Sequence, residues 1–499
     1  MPATIHDLLI VGGGINGAGI ARDAAGRGLS VLLCEQGDLG GATSSASSKM
    51  IHGGLRYLEY HEFRLVAEAL AEREVMLRIA PHLTRPLRFI MPHVPSLRPA
   101  WMIRLGLLLY DSLGRIGGTN RRVTLPGSAS IDLTRPPIAQ SLQEHYGQGF
   151  VYSDVAVDDA RLTLANARAA FLLGAGIRPR SRFIGATRAH GLWQATLENA
   201  DGTTVVRSRA LVNAAGPWVA EVCAALPAGT GPRAKVQLVK GSHIVVPRLY
   251  PGEHAFILQN DDRRVIFLLP FEEKFTLIGT TDVRVEKPGD AGITADEVAY
   301  LCRAASRYTR TAVAAGDIVW RYSGVRPLFD DGQNDPSRVS RDYTFVLDQT
   351  DDVPALSIFG GKITTYRRLA EKALARLAPW FPHMGPPWTD NRPLPGGDFA
   401  TLGELVETLQ SRHPALPPAW LKSLARRHGT EAVRVIGDAR SAADLGLNFG
   451  GGLYQREVEY FIEHEWAKSA DDILWRRSKT GLLMTAAEQD EFHRWLQTT

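Results

Sequence analysis

Residues 7–23 read Asp7-Leu-Leu-Ile-Val-Gly-Gly-Gly-Ile-Asn-Gly-Ala-Gly-Ile-Ala-Arg-Asp23. The apolar run Leu8 to Val11 has the character of a buried parallel strand. It ends in Gly12-x-Gly14-x-x-Gly17, after which Ile20, Ala21 and Ala24 open a helical pattern. Gly12 permits the tight strand-to-helix turn, Gly14 lets backbone approach a pyrophosphate, and Gly17 lets helix and strand touch. The free N–H groups and dipole of the helix start favour the phosphates, with Asn16 among the residues placed against them. Gly28 ends the helix, Leu29 to Leu33 form a second strand, and Glu35 follows eighteen residues beyond Gly17. A carboxylate there can accept both ribose hydroxyls of an adenosine and would repel a 2′-phosphate. A dinucleotide such as FAD or NAD is therefore expected.

The next stretch, Gly40-Gly-Ala-Thr-Ser-Ser-Ala-Ser-Ser-Lys49, is small and hydroxyl-rich. Its N–H and O–H groups suit a fold over the same pyrophosphate, which nominates Thr43, Ser44, Ser45 and Ser48. Then comes His52-Gly-Gly-Leu-Arg56-Tyr57, where a Gly-Gly step lets backbone pass near something bulky. A histidine, an arginine and a tyrosine so close together are costly to bury without a polar ligand. An amphipathic helix with Phe63, Val66, Leu70 and Leu77 on one face runs on to Pro81.

The chain of 499 residues suffices for two or three domains, and 44% hydrophobic with 22% charged residues is ordinary for a globular protein. A net charge of +4 falls far short of a nucleic-acid-binding profile but suits an anionic substrate or membrane surface. Cys34, Cys223 and Cys302 are scattered, so neither a disulfide framework nor a zinc site is expected, and no metal site is assigned. No signal-like segment precedes the first strand and no run of eighteen apolar residues occurs, so a cytoplasmic protein is expected.

Further along, Trp101-Met-Ile-Arg-Leu-Gly-Leu-Leu-Leu-Tyr110 has one charge in ten residues, too short to span a bilayer. It reads as a buried helix or, with Arg98, Arg104 and Arg115 nearby, as an interfacial element on anionic lipid. Residues 183–206 alternate and break at Asn199-Ala-Asp-Gly202, predicting a hairpin. Arg209 to Gly216 should return to the nucleotide sheet, bringing Ala215 and Gly216 to the cofactor. Residues 233–285 are rich in β formers and predict an inserted antiparallel sheet. Ala355 to Phe359 is a last strand, followed by the turn Gly360-Gly-Lys-Ile and a helix from Thr364 to Leu377. Prolines and glycines from Pro379 to Gly397 mark a linker, and the charged tail is helical, with Ser469 and Asp472 as a capping pair.

Taken together, the fingerprint, the TSSASSK loop and HGGLRYLE resemble the FAD-dependent glycerol-3-phosphate dehydrogenases, a branch of the D-amino-acid-oxidase-like flavoproteins. The likeness continues in order through YSDVAVDDARL (152–162), NAAGPW (213–218), KGSHIVV (240–246), LIGTTD (277–282), WRYSGVRPL (320–328) and FGGKITTYR (359–367). It implies an α/β fold: a Rossmann-like FAD-binding domain, an inserted antiparallel β-sheet substrate domain and a helical C-terminal domain. The oxidoreductase domain is expected over 1–380, with FAD-binding parts about 1–80, 150–235 and 325–380 and substrate-binding parts about 81–149 and 236–324. A linker over 381–397 and a helical domain over 398–499 follow. The implied reaction oxidises sn-glycerol 3-phosphate to dihydroxyacetone phosphate, passing electrons through non-covalent FAD to membrane quinone. That places the protein in the cytoplasm, peripherally on the inner face of the cell membrane, with homodimer formation left open. The rivals are a glycerol-3-phosphate oxidase using dioxygen and a flavin-containing binding or tRNA-modifying protein. The last is disfavoured by the low charge.

Oxidising a secondary alcohol requires a hydride acceptor and removal of the hydroxyl proton. His52 and His243 are the candidate bases, since histidine titrates near working pH. The turn Gly360-Gly361-Lys362 at a helix start, with Ile363 and Thr364, offers N–H groups and a positive charge for the reduced flavin or the substrate. Arg326, stiffened by Pro327, and Arg56 suit anionic oxygens, with Tyr57 and Thr281 beside them. Arg326 could instead pair with Asp330 or Asp331.

Overall fold

The computed structural model describes residues 4–116, 124–227, 236–262, 264–329 and 343–498. Its first sheet has the order Thr344–Asp348, Ala355–Phe359, Gly202–Asn213, Ile5–Val11, Val31–Cys34 and Gly176–Arg178. The central four strands run parallel to one another, which explains why Leu8 to Ile10 and Val31 to Leu33 are apolar without alternation. Gly202–Asn213 serves two partners. Its first half pairs with Leu192–Asn199 as the expected hairpin, and its second half lies parallel to Ile5–Val11. The helices Ile15–Gly26, Asp159–Leu172 and Tyr366–Leu377 share one core beneath this sheet. Alanines 18, 21, 24, 167, 170 and 373 let them approach closely.

The second sheet follows the order Val283–Val285, Val236–Pro247, Phe275–Gly279, Val265–Phe271, Ala255–Gln259, Thr84–Pro92, Gln148–Val157 and Met50–Ile51. Trp320–Phe329 pairs along the full length of Val236–Pro247, and Ala129–Asp132 pairs with Gln148–Val157. It is not wholly antiparallel as expected: Ala255–Gln259 runs parallel to Thr84–Pro92, because the two halves of the sheet come from distant stretches of chain. Strands 148–157 and 320–329 also carry this sheet past the expected limits of 149 and 324.

The tail forms helices Leu402–Arg412, Pro418–His428, Gln455–Glu465 and Ala486–Thr498 around a core of its own, including Trp420, Leu424, Phe461 and Phe492. Residues 381–397, expected as a linker, carry no helix or strand. They are nonetheless tied down: Trp388 Nε1 donates to the Asp23 carbonyl at 3.2 Å, and Leu394 N donates to the Ile79 carbonyl at 2.8 Å.

Candidate active site

The carboxyl ends of the parallel strands open into a cavity of about 550 Å³, closed on its far wall by the second sheet. Gly12 turns at φ 113°, and a Cβ there would lie 2.5 Å from the Ala214 carbonyl oxygen. Gly14 and Asn16 line the cavity, whereas Gly17 packs against the Gly12 carbonyl, as the third glycine of the motif should. Glu35 accepts Gly13 N at 2.7 Å on one oxygen and Gly37 N at 2.8 Å on the other. Burial raises its pKa, and those backbone donors oppose the rise. Each oxygen keeps a lone-pair site for a ribose hydroxyl.

The hydroxyl-rich loop is built in rather than draped over the cavity. Thr43 Oγ1 donates to the Val325 carbonyl at 2.6 Å, and Ser44 Oγ accepts Ile15 N at 2.9 Å. Both residues line the cavity, as do Ala215, Gly216, Gly361, Ile363 and Thr364. Ser45 corrects the expectation: it is absent from the lining, and its hydroxyl closes a local turn onto the Ala42 carbonyl. Asn16 Nδ2 donates to the Gly360 carbonyl at 3.2 Å, while its Oδ1 is buried without a partner among the described residues. That orphaned acceptor, the glycine cradle and the Glu35 carboxylate fit an FAD molecule. Cys34 also lines the cavity, but burial and then Glu35 push its thiol up to about 12. At that pKa it stays protonated and unreactive.

The second sheet contributes Arg326, Thr280 and Gly241 to the cavity. A Cβ on Gly241 would lie 2.5 Å from Arg326 Nη2, so the bare glycine makes room for the guanidinium. Arg326 pairs through Nη1 with Asp282, and Nη2 lies 3.4 Å from Thr280 Oγ1. Asp330 and Asp331, the partners weighed from sequence, lie outside the described residues. His52 and Tyr57 line the cavity too, and Lys362 Nζ sits 3.8 Å above the Tyr57 ring centroid.

Besides Ser45, three further expected residues stand back from the cavity. Thr281 accepts Ser242 N at 2.9 Å and donates to Glu297 at 2.7 Å, so Thr280 takes the cavity position in its place. The Thr-Thr pair was visible in sequence, but the path of the connection between Phe275–Gly279 and Val283–Val285 decides which of the two faces the site. His243 is buried behind Ser48, whose Oγ lies 2.9 Å from Nε2, and it stacks on Tyr322. Burial, then Arg326 and Lys49, hold its pKa well below the ordinary value. Arg56 does not line the cavity, and its Nε is buried and unpartnered among the described residues. Sequence reasoning also missed Gln36 to Asp38 and Arg476, which line the cavity without any local motif.

A parallel sheet with a glycine-rich turn, a carboxylate at the end of its second strand and a cavity closed by a second sheet is the arrangement of a dinucleotide-binding oxidoreductase. Residues 7–367 match the FAD dependent oxidoreductase family and residues 387–496 the C-terminal domain of alpha-glycerophosphate oxidase. The chain belongs to this family of FAD-dependent enzymes. It is 50% identical over 500 residues to a glycerol-3-phosphate dehydrogenase of Pseudomonas aeruginosa, covering 99% of this chain and 96% of the relative. A D-erythritol 1-phosphate dehydrogenase of Brucella abortus is 48% identical, covering 98% and 97%. The aerobic glycerol-3-phosphate dehydrogenase of Escherichia coli is 46% identical with the same coverage. The fold is that of a glycerol-3-phosphate dehydrogenase from Bacillus halodurans solved with FAD, at TM-score 0.74 and 24% identity, covering 99% of this chain and 94% of that one.

Proposed function

We propose that the chain oxidises sn-glycerol 3-phosphate to dihydroxyacetone phosphate and passes the electrons through FAD to membrane quinone. The observation that carries this reading is full-length identity of 46–50% with glycerol-3-phosphate dehydrogenases, in a chain whose cavity presents Arg326 to an anion. Bound FAD supplies the hydride acceptor. His52, which lines the cavity, takes the hydroxyl proton, while His243 positions Ser48 from behind. Arg326, oriented by Asp282, grips phosphate oxygens through its planar guanidinium. Lys362 and the N–H groups of the 360–363 turn hold positive potential over the cavity.

Attachment to a membrane is supported by the helix Ala100–Ile116. Ile103, Leu107 and Tyr110 are buried, whereas Trp101, Met102, Leu105 and Leu108 are exposed. None of the described helices is long and apolar enough to cross a membrane. Arg98 is paired with Glu59, and Arg104 donates to Ser128 Oγ, so the contact relies on apolar side chains more than on the arginines. The side chain of Arg115 lies outside the described ones.

A second reading is favoured by the 48% identical relative that is named for D-erythritol 1-phosphate. Anaerobic addition of each phosphate ester to the yellow holoenzyme separates the two. Glycerol 3-phosphate should bleach the flavin far faster than D-erythritol 1-phosphate, and a soluble quinone should restore the colour faster than air. Bleaching by D-erythritol 1-phosphate alone would move the substrate assignment. Faster recovery in air would make the protein an oxidase.

A further inference from the structure

The helical C-terminal domain reaches into the cofactor cavity. Its turn of π-helix, Asp472–Arg477, places Arg476 in the lining beside Asp38. The turn is anchored by the capping pair visible in sequence: Asp472 Oδ2 accepts Ser469 N at 3.0 Å and Lys468 N at 2.8 Å, and Asp472 N donates to Ser469 Oγ at 3.3 Å. The same carboxylate accepts Arg476 Nη2 and Arg180 Nη2, each at 2.5 Å. Arg476 Nε then donates to Asp38 Oδ2 at 2.5 Å, and the fully buried Arg477 donates to Asp38 Oδ1 at 2.8 Å.

Asp38 lies in the loop that follows Glu35, the ribose acceptor. Gln36, Gly37 and Asp38 all line the cavity, and Arg180 N donates to the Gly37 carbonyl at 2.9 Å. The adenosine loop is thus held from outside by two arginines of the other domain. On its other flank Trp475 stacks on Trp320, at the start of the strand that carries Arg326, with centroids 5.1 Å apart.

Two nitrogens of Arg476, Nε and Nη2, are fixed by carboxylates, and Nη1 takes no part in either of these bonds. A guanidinium held in this way presents its remaining donors in a set direction, at low cost when an anionic oxygen arrives. We infer that Arg476 is a cofactor-binding residue and that the 472–477 turn is a wall of the FAD site, engaging the adenosine diphosphate half. FAD binding and seating of the C-terminal domain then favour one another, since such coupling is reciprocal.

Two measurements test this without substrate, so loss of the glycerol 3-phosphate reading would leave them intact. The first is release of FAD from diluted holoenzyme, followed by the rise in flavin fluorescence. Arg476→Gln should release FAD at least ~10-fold faster than wild type, and Arg476→Lys should fall between. The second is hydrogen exchange of flavin-stripped wild type with and without ADP, which should slow exchange in residues 472–477. An unchanged release rate in a folded Arg476→Gln protein overturns the assignment. Absence of ADP-dependent protection in that turn overturns it as well. If Arg476→Gln fails to fold, the exchange experiment on wild type decides alone.

Discussion

An arginine that binds phosphate must be oriented by its neighbours yet keep donors for the ligand. Arg326 meets both conditions, since Asp282 holds Nη1 while the side chains of the pair remain 28% and 26% exposed. Arg326→Ala should lower kcat/KM for glycerol 3-phosphate by about a hundred- to thousandfold, because a charge-assisted contact to the phosphate is lost. Activity on glycerol should hardly change, and equal losses on both substrates would place Arg326 at the reacting hydroxyl instead. The two histidines differ in what their loss should do. His243 is held neutral by burial, then by Arg326 and Lys49, and stands behind Ser48. His52→Gln should lower kcat by about a hundredfold or more, as for a lost general base, while His243→Gln should cost ~10-fold or less. Equal losses in the two variants would reject His52 as the base. Arg326, His52 and Lys362 were legible because short motifs fix their surroundings. Asp282 was not, since only the register of strands 236–247 and 320–329 brings it to Arg326.

The fingerprint unit was legible as a whole because every signal in it is local: an apolar strand, glycines at fixed spacing, a helix, and an acid. The tail's helices were legible too, but not the ion pairs that hold them to one another and to the rest of the chain. Arg161, on the helix Asp159–Leu172, pairs with Glu465, while Arg427 and His428 both bind Glu457 on Gln455–Glu465. These partners are separated by up to hundreds of residues, so spacing carries no trace of them. Burial alone would raise the Glu457 pKa, but Arg427 and the bond from His428 bring it down to about 2. A carboxyl depressed in the folded state stabilises above its unfolded pKa, and the contribution fades as pH falls from 4.5 toward 2. Glu457→Gln should therefore cost about 3 kcal/mol at neutral pH, as expected for a broken buried pair. Urea unfolding of the holoprotein at pH 7 and pH 3 should show the gap to wild type narrowing in acid. A gap independent of pH would mean that Glu457 acts through packing rather than charge.

At the scale of the molecule, one question is how a protein without a membrane-spanning helix among its described residues would reach a lipid-soluble acceptor. The segment Trp101 to Tyr110 was ambiguous in sequence because its apolar residues surround the helix, which satisfies a buried helix and an interfacial one alike. In the fold the helix uses both faces. Leu107 and Tyr110 pack inward, while Trp101 is 66% exposed, Leu105 60% and Leu108 47%, a cluster that a soluble surface rarely leaves uncovered. Each such side chain contributes about 1.5–3 kcal/mol on leaving water. Leu108→Glu removes one contribution and adds a carboxylate that resists entry into the acyl region, so partitioning onto vesicles should drop at least ~10-fold. Because Arg98 and Arg104 are engaged within the protein, 0.5 M salt should release little of the wild type. Cosedimentation with phosphatidylcholine vesicles, with and without phosphatidylserine, measures both effects. Reduction of a water-soluble dye by glycerol 3-phosphate should be unaffected in Leu108→Glu, since the helix lies outside the cavity, whereas reduction of a long-tailed quinone in vesicles should fall with binding. If Leu108→Glu sediments like wild type, or if quinone reduction persists without binding, this helix is not the membrane contact.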